Sequence, residues 1–211
     1  MFDAKYMPWI KATLFIVALL PLARLIFFGV GDRLGANPIE FITRSTGTWT
    51  LVFLLITLSV TPLRRLSGWH GLIKLRRMFG LFAFFYGCLH FTTYIWLDQF
   101  FDLAAIYKDV VKRPFITVSF PSFVLMIPLA LTSTNAMVRR LGGKRWQRLH
   151  RLVYVIAIGG VIHYLWLVKK DITDPLIYAL ILALLLAYRL AVAARKRLAV
   201  EGTEKIAAMN P

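Results

Sequence analysis

The stretch WQRLHRLVYVIAIGGVIHYLW, residues 146–166, decides the fold of this chain. Basic residues and His150 open it, and an apolar run follows that contains His163 and no acidic residue. A helix rises about 1.5 Å per residue, so about 20 apolar residues cross the roughly 30 Å hydrocarbon core of a membrane. We therefore predict a membrane-spanning helix over residues 150–168.

Five other segments have the same apolar character: residues 9–30, 49–66, 78–97, 115–133 and 175–194. The 211 residues are 59% hydrophobic and 17% charged, whereas a soluble domain carries about 25% charged residues. The first segment resembles a signal peptide in position, but it is too long and no cleavage site follows it. The sequence predicts an all-α integral membrane protein, with six transmembrane helices in residues 1–199 and a short polar tail in residues 200–211.

The distribution of charge predicts the orientation of the bundle. Seventeen of the 26 basic residues lie on the side of both termini, and seven lie on the other side together with seven of the ten acidic residues. Segments rich in Lys and Arg stay in the cytoplasm, so both termini are predicted to be cytoplasmic. This asymmetry and contact with membrane lipid explain the net charge of +16 without a nucleic-acid partner.

Two histidines lie at matching depths within the predicted spans. His90 precedes the end of the third span by seven residues, and His163 precedes the end of the fifth by five. A buried imidazole needs a partner, and two imidazoles on different helices suit the axial positions of one haem iron. Gly87 and Gly160, each three residues before a histidine, would leave room for a porphyrin on the same helix face. Alternatively, these glycines pack helices together and the histidines only form hydrogen bonds between helices.

His150 is harder to interpret from the residues alone. It lies thirteen residues before His163, about 20 Å toward the cytoplasmic side and on a different face of an ideal helix. A ligand role and an interfacial role both remain open. No Asp or Glu lies in the middle of any span, which disfavours an ion-coupled carrier.

Three stretches resemble a known family: RRMFGLFAFFYGCLHFTTY (residues 76–94), LALTST (residues 129–134) and residues 146–166. They are similar to the ferric-reductase-like transmembrane domain, above all to its bacterial MsrQ (YedZ) branch. The resemblance implies a six-helix bundle in the inner membrane that holds haem b, with His90 and His163 as outer ligands and His150 as the inner histidine. It also implies electron transfer from the quinone pool, an associated flavin mononucleotide (FMN), and a heterodimer with a periplasmic molybdopterin-containing catalytic subunit that repairs methionine sulfoxide in proteins.

One departure from the wider superfamily concerns the start of the third span. Relatives of the NADPH oxidase type carry a second histidine there, whereas this chain has Arg76 and Arg77. Arginine is suited to a haem propionate or a flavin phosphate, and also to anchoring the cytoplasmic side of the membrane. No G-x-G-x-x-G motif is present, so the chain has no nucleotide-binding fingerprint of its own.

The sequence thus predicts a non-catalytic electron-transfer subunit of an oxidoreductase complex. The alternative is a non-redox permease or assembly factor whose histidines are structural.

Overall fold

The computed structural model describes residues 4–209, and it describes no side chain at residues 4, 196, 200 and 202–209. Within this range the chain forms no strand and nine α-helices: α1 Met7–Val30, α2 Pro38–Ser67, α3 Arg76–Thr92, α4 Leu103–Lys112, α5 Pro114–Leu131, α6 Asn135–Leu141, α7 Gly143–His150, α8 Leu152–Leu167 and α9 Thr173–Met209. Six helical segments are long and apolar enough to cross a membrane. The predicted all-α bundle of six spans is therefore confirmed, and α9 continues through the segment predicted as a polar tail as far as Met209.

Helix α2 begins well before the predicted start of the second span at residue 49. The side chain of Asn37 accepts a hydrogen bond from the backbone N–H of Glu40 at 3.2 Å, and Pro38 occupies the first turn. These are the features of a helix N-terminus. The first turns carry Glu40 and Arg44, so hydropathy alone did not reveal them as part of the span.

Beyond the predicted end of the third span at residue 97, the connection to α5 contains a further helix, α4, which the sequence analysis did not predict. A π-helical segment, Thr93–Asp98, follows α3 directly, and α4 comes next. The side chain of Asp102 caps α4 by accepting hydrogen bonds from the backbone N–H groups of Ala104 and Ala105 at 2.9 and 3.0 Å. Helix α4 has distinct polar and apolar faces, unlike the spans, and it packs against α5.

The core of the bundle is formed mainly where α2 packs against α3 and α5 against α8. Leu58, Tyr86 and Ile156 are almost completely buried there. The Tyr86 hydroxyl donates a hydrogen bond to the backbone oxygen of Ala18 at 2.8 Å, which ties α3 to α1. A Cβ atom on Gly159 would overlap the Ser122 hydroxyl, so this glycine permits the close approach of α8 to α5.

Outward-facing positions along the helices are apolar. Phe27, Leu180 and Leu184 are each more than 60% exposed, as expected where lipid rather than water is the surrounding solvent. We call the side with both chain termini the termini end of the bundle, and the side with the α1–α2, α3–α5 and α8–α9 connections the far end. The cytoplasmic location of the termini end stays a prediction.

Candidate cofactor site

The structure brings His90 of α3 and His163 of α8 together. Their ring centroids are 6.1 Å apart, and the two ring planes meet at 74°. The two imidazoles that were predicted to lie at one depth are therefore neighbours in the structure. The pair lies toward the far end of the bundle, close to the C-terminal ends of both helices.

Each imidazole is held through its Nδ1 atom. His90 Nδ1 lies 2.9 Å from the backbone oxygen of Thr43 on α2, and His163 Nδ1 lies 2.8 Å from the backbone oxygen of Phe115 on α5. A carbonyl oxygen can only accept a hydrogen bond, so both Nδ1 atoms carry the proton. In the neutral rings the lone pair is then on Nε2, which is the arrangement of a histidine that binds a metal.

The Nε2 atoms are free to take a ligand. Neither has a hydrogen-bond partner in the described part of the chain, and neither is sealed from the cavity that both histidines line. Among the described residues no third histidine, cysteine or carboxylate joins the pair to complete a metal site. A metal held here would need its other ligands from a bound group, as iron has in a porphyrin.

The separation of the rings fits a shared iron atom. An imidazole nitrogen binds a first-row metal at about 2.0 Å, and a ring with bonds of about 1.35 Å has its centre about 1.1 Å from each atom. Two imidazoles on opposite sides of one metal therefore have centroids about 6.2 Å apart, against the 6.1 Å observed. The residues present fit a haem with two histidine ligands.

The cavity beside this pair, here the outer cavity, has a volume of about 510 Å³. Gly87 and Gly160 both line it, as the spacing from each histidine predicted. A Cβ atom on either would meet its nearest protein neighbour at an ordinary 3.6 Å, so these glycines are not required by helix packing. What they leave open is space inside the cavity. Gly159, in contrast, does not line the cavity and serves the contact with α5.

Sequence reasoning missed the contribution of α2. A Cβ atom on Gly47 would lie only 3.0 Å from His90 Cε1 and 3.1 Å from its Nδ1, so the bare backbone of α2 supports the ring. The carbonyl groups of Thr43 and Phe115 leave no trace in the sequence, because every residue has one. Gly47 could have been found as the one residue without a side chain in the polar run STGT, which directly precedes the predicted second span.

His150 lies apart from the pair, in a second cavity toward the termini end. This inner cavity has a volume of about 280 Å³, and Arg76 and Arg77 line it together with His150. A single-residue turn at Arg151 separates α7 from α8, and its backbone stays in the right-handed helical region. The structure brings the three predicted inner residues together and separates them from the outer pair.

His150 is held differently from the other two histidines. The Thr132 hydroxyl donates its single proton to the backbone oxygen of Pro128 at 2.6 Å and lies 3.0 Å from His150 Nε2. His150 must therefore donate from Nε2, which leaves its lone pair on Nδ1. The ring of Trp146 stacks on the imidazole with centroids 3.9 Å apart. The nitrogen that is free at His90 and His163 is thus engaged here.

The two arginines also differ from each other. Arg77 is exposed and donates a hydrogen bond to the side-chain oxygen of Asn135 at 2.7 Å. Arg76 is half-buried, and its charge is repelled by that of Arg189 on α9. Neither forms an ion pair within the described residues, so both keep positive charge for an anionic group.

Only side chains separate the two cavities. Leu54, Met126 and Ile156 line both of them. A group in the inner cavity and a group in the outer cavity would therefore be separated by a single layer of apolar side chains.

Residues 45–161 match the family model described as "Ferric reductase like transmembrane component". This range covers more than half of the chain and includes His90 and His150, and His163 lies two residues beyond it.

Curated relatives resemble nearly the whole chain. A protein of Herminiimonas arsenicoxydans is 65% identical over 190 residues, which is 89% of this chain and 87% of that protein. Proteins of Azospira oryzae (62% identical, 85% of this chain and 78% of that protein) and Ralstonia nicotianae (56% identical, 90% and 88%) are also similar. All three are named as the haem-binding subunit MsrQ of protein-methionine-sulfoxide reductase. The resemblance inferred from the sequence is confirmed.

Proposed function

The chain belongs to the MsrQ branch of the ferric reductase like transmembrane family, and we propose that it is a haem b electron-transfer subunit of the bacterial inner membrane. In this proposal it passes electrons from the quinone pool to a periplasmic molybdopterin-containing subunit that reduces methionine sulfoxide in proteins. The observation that carries it is the pair of unpartnered Nε2 atoms beside a 510 Å³ cavity. A haem bound there supplies reversible one-electron chemistry at its iron.

The chain's own residues hold and tune such a group. His90 and His163 would hold the iron through their Nε2 atoms, and the carbonyl groups of Thr43 and Phe115 orient the rings and increase the basicity of Nε2. Gly87 and Gly160 leave room beside the ligands. Apolar side chains of the cavity wall exclude water, and burial of this kind is one of the factors that set a haem potential.

Electrons enter, in this proposal, through the inner cavity. A quinol that is oxidised releases two electrons and two protons, so its site needs a proton acceptor. His150 is suited to this role, because its Nε2–H is held by Thr132 and its Nδ1 keeps a lone pair. The cavity is little more than half the size of the outer one, which supports a quinol head group over a second haem. Arg76 and Arg77 also suit the phosphate of FMN, which would then occupy this cavity in place of the quinol head group.

Electrons leave at the far end, where the catalytic partner docks. The outer cavity lies nearest this end, and α4 belongs to the connection between α3 and α5 at the same end. Leu103, Tyr107 and Val111 are spaced four residues apart on α4 and are 78%, 72% and 61% exposed. This row supports docking by apolar contact, which agrees with the near balance of charge at this end. We expect the complex to persist as salt is raised, and its dissociation by moderate salt would contradict this mode of docking.

The absorption spectrum of the purified protein tests the haem assignment. We expect a Soret band that sharpens and shifts on reduction. His90→Ala and His163→Ala should each lose most of the haem, because one axial ligand is missing. His150→Ala should keep the low-spin spectrum, and His70→Ala is the control because His70 is exposed and lines neither cavity. A normal spectrum in His90→Ala, or a colourless wild-type protein, would refute the proposal and favour the permease or assembly factor.

The inner cavity has a separate test. We expect one haem per chain, and slower haem reduction by a soluble quinol analogue in His150→Ala at unchanged haem content. Two haems per chain, with one lost in His150→Ala, would show that the inner cavity binds haem and that quinol is not oxidised there.

A further inference from the structure

The mouth of the outer cavity carries two arginines, Arg44 on α2 and Arg113 between α4 and α5. Each is close in sequence to a residue that anchors one of the paired histidines. Arg44 directly follows Thr43, whose carbonyl group holds His90, and Arg113 precedes Phe115, whose carbonyl group holds His163, by two residues. One arginine is thus positioned by the same backbone segment as each imidazole.

Both guanidinium groups are oriented but not saturated. Arg44 Nη2 lies 2.7 Å from Glu40 Oε1, and Arg113 Nε lies 3.1 Å from Asp109 Oδ1. A guanidinium has five N–H donors. The other side-chain nitrogens of these two arginines have no hydrogen-bond partner in the described part of the chain, so each can bind a further carboxylate.

The opposite wall of the cavity cannot accept charge. Leu51, Leu54, Met126 and Ile156 line it toward the centre of the bundle, and an unpaired carboxylate against such a surface is strongly unfavourable. Haem b carries two propionate carboxylates on one edge. That edge must therefore point toward the far end, where the arginines lie.

We infer that Arg44 and Arg113 bind the two haem propionates, one each, and thereby fix the orientation of the haem in the outer cavity. This inference rests on the proposed haem site between His90 and His163. It also separates the roles of the arginines, because Arg76 and Arg77 line the other cavity and do not reach this one.

Acidic side chains near the mouth oppose this binding and limit its strength. Glu40 and Asp98 also line the cavity, and Asp109 is engaged by Tyr94, Gln99 and Arg113. Because both arginines are more than half exposed, each contributes modestly. We expect haem affinity to weaken by up to about fivefold per arginine removed, which is the upper end of the range for solvent-screened charge pairs.

The test uses the full-length chain, stripped of haem in detergent and titrated with haem b and with its dimethyl ester, which lacks the propionate charges. Arg44→Gln and Arg113→Gln should each weaken haem binding measurably, by up to about fivefold, with the double variant weakened further. Their midpoint potentials should fall, because a lost cation no longer favours the reduced iron. Binding of the dimethyl ester should be the same in wild type and variants.

Two control variants separate propionate binding from a structural role. Arg33→Gln removes a far-end charge that does not line the cavity, and it should change neither affinity nor potential. Glu40→Gln breaks the same ion pair as Arg44→Gln but frees the guanidinium, so it should strengthen haem binding slightly. Equal weakening by Glu40→Gln and Arg44→Gln, or equal loss of the dimethyl ester, would overturn the inference. If the wild-type chain binds neither porphyrin, the proposed function itself fails.

Discussion

Gly47→Ala is a one-methyl test of how α2 supports the haem ligand. The added Cβ would lie 3.0 Å from His90 Cε1 and 3.1 Å from His90 Nδ1, about 0.4 Å inside the 3.4 Å at which ordinary contacts begin. The neighbour in this contact is a ring whose Nδ1 is held by the carbonyl group of Thr43, one turn earlier on α2. Either the ring turns or α2 moves away from α3.

Each of these two movements has a known cost in free energy. Turning the ring weakens one hydrogen bond, worth about 0.5–1.5 kcal/mol, whereas moving packed helices apart costs about 1–3 kcal/mol. The ring therefore turns, at about 1 kcal/mol. A turned ring must return to its position to bind the iron, so haem affinity should fall about fivefold. Alanine meanwhile stabilises a helix interior by about 0.5–1 kcal/mol relative to glycine, so the free energy of unfolding should fall by no more than about 0.5 kcal/mol.

Haem titration and chemical unfolding of the same preparations separate the two effects. Gly29→Ala is the matched control, because its Cβ would meet only Leu34 Cδ1 at 3.7 Å and Gly29 lines neither cavity. We expect weaker haem binding in Gly47→Ala alone. Unchanged haem affinity in Gly47→Ala would refute the reasoning, and equal loss of affinity in Gly29→Ala would show that the effect is not local to His90.

Three further predictions concern the angle between the paired histidine rings, one helix contact and the orientation in the membrane. The 74° angle between the rings of His90 and His163 predicts a highly anisotropic low-spin electron paramagnetic resonance signal in the oxidised protein, and the rhombic signal of parallel rings would contradict this geometry. Gly159→Ala should destabilise the fold by about 1–3 kcal/mol, because its Cβ would overlap the Ser122 hydroxyl; in unfolding measurements Ser122→Ala should restore most of this loss, and additive effects of the two changes would argue against the contact. At Lys108, a reporter that is active only in the periplasm should be active. Activity of a reporter that works only in the cytoplasm would reverse the predicted topology.

Much of the architecture was evident from the amino-acid sequence. Six long apolar segments require helices, because a backbone in lipid must satisfy its own hydrogen bonds. The positions of His90 and His163 within two spans of the same direction were enough to predict a common depth, since the rise per residue in a helix is constant. Glycine at residues 87 and 160 could be related to the same cavity through the helical repeat.

The tertiary structure decided what no periodicity encodes. The contact of α2 with the imidazole of His90 depends on how α2 packs against α3, so the contributions of Gly47 and of the Thr43 carbonyl group were not predicted. Helical phase alone left the role of His150 open, whereas the packing shows that His150 and His163 line two separate cavities. Periodicity describes one helix at a time, whereas the nitrogen that keeps a lone pair on each histidine depends on acceptors contributed by other segments of the chain. The sequence therefore determined that three histidines lie in the membrane domain, and only their packing determined that two of them share a site and the third does not.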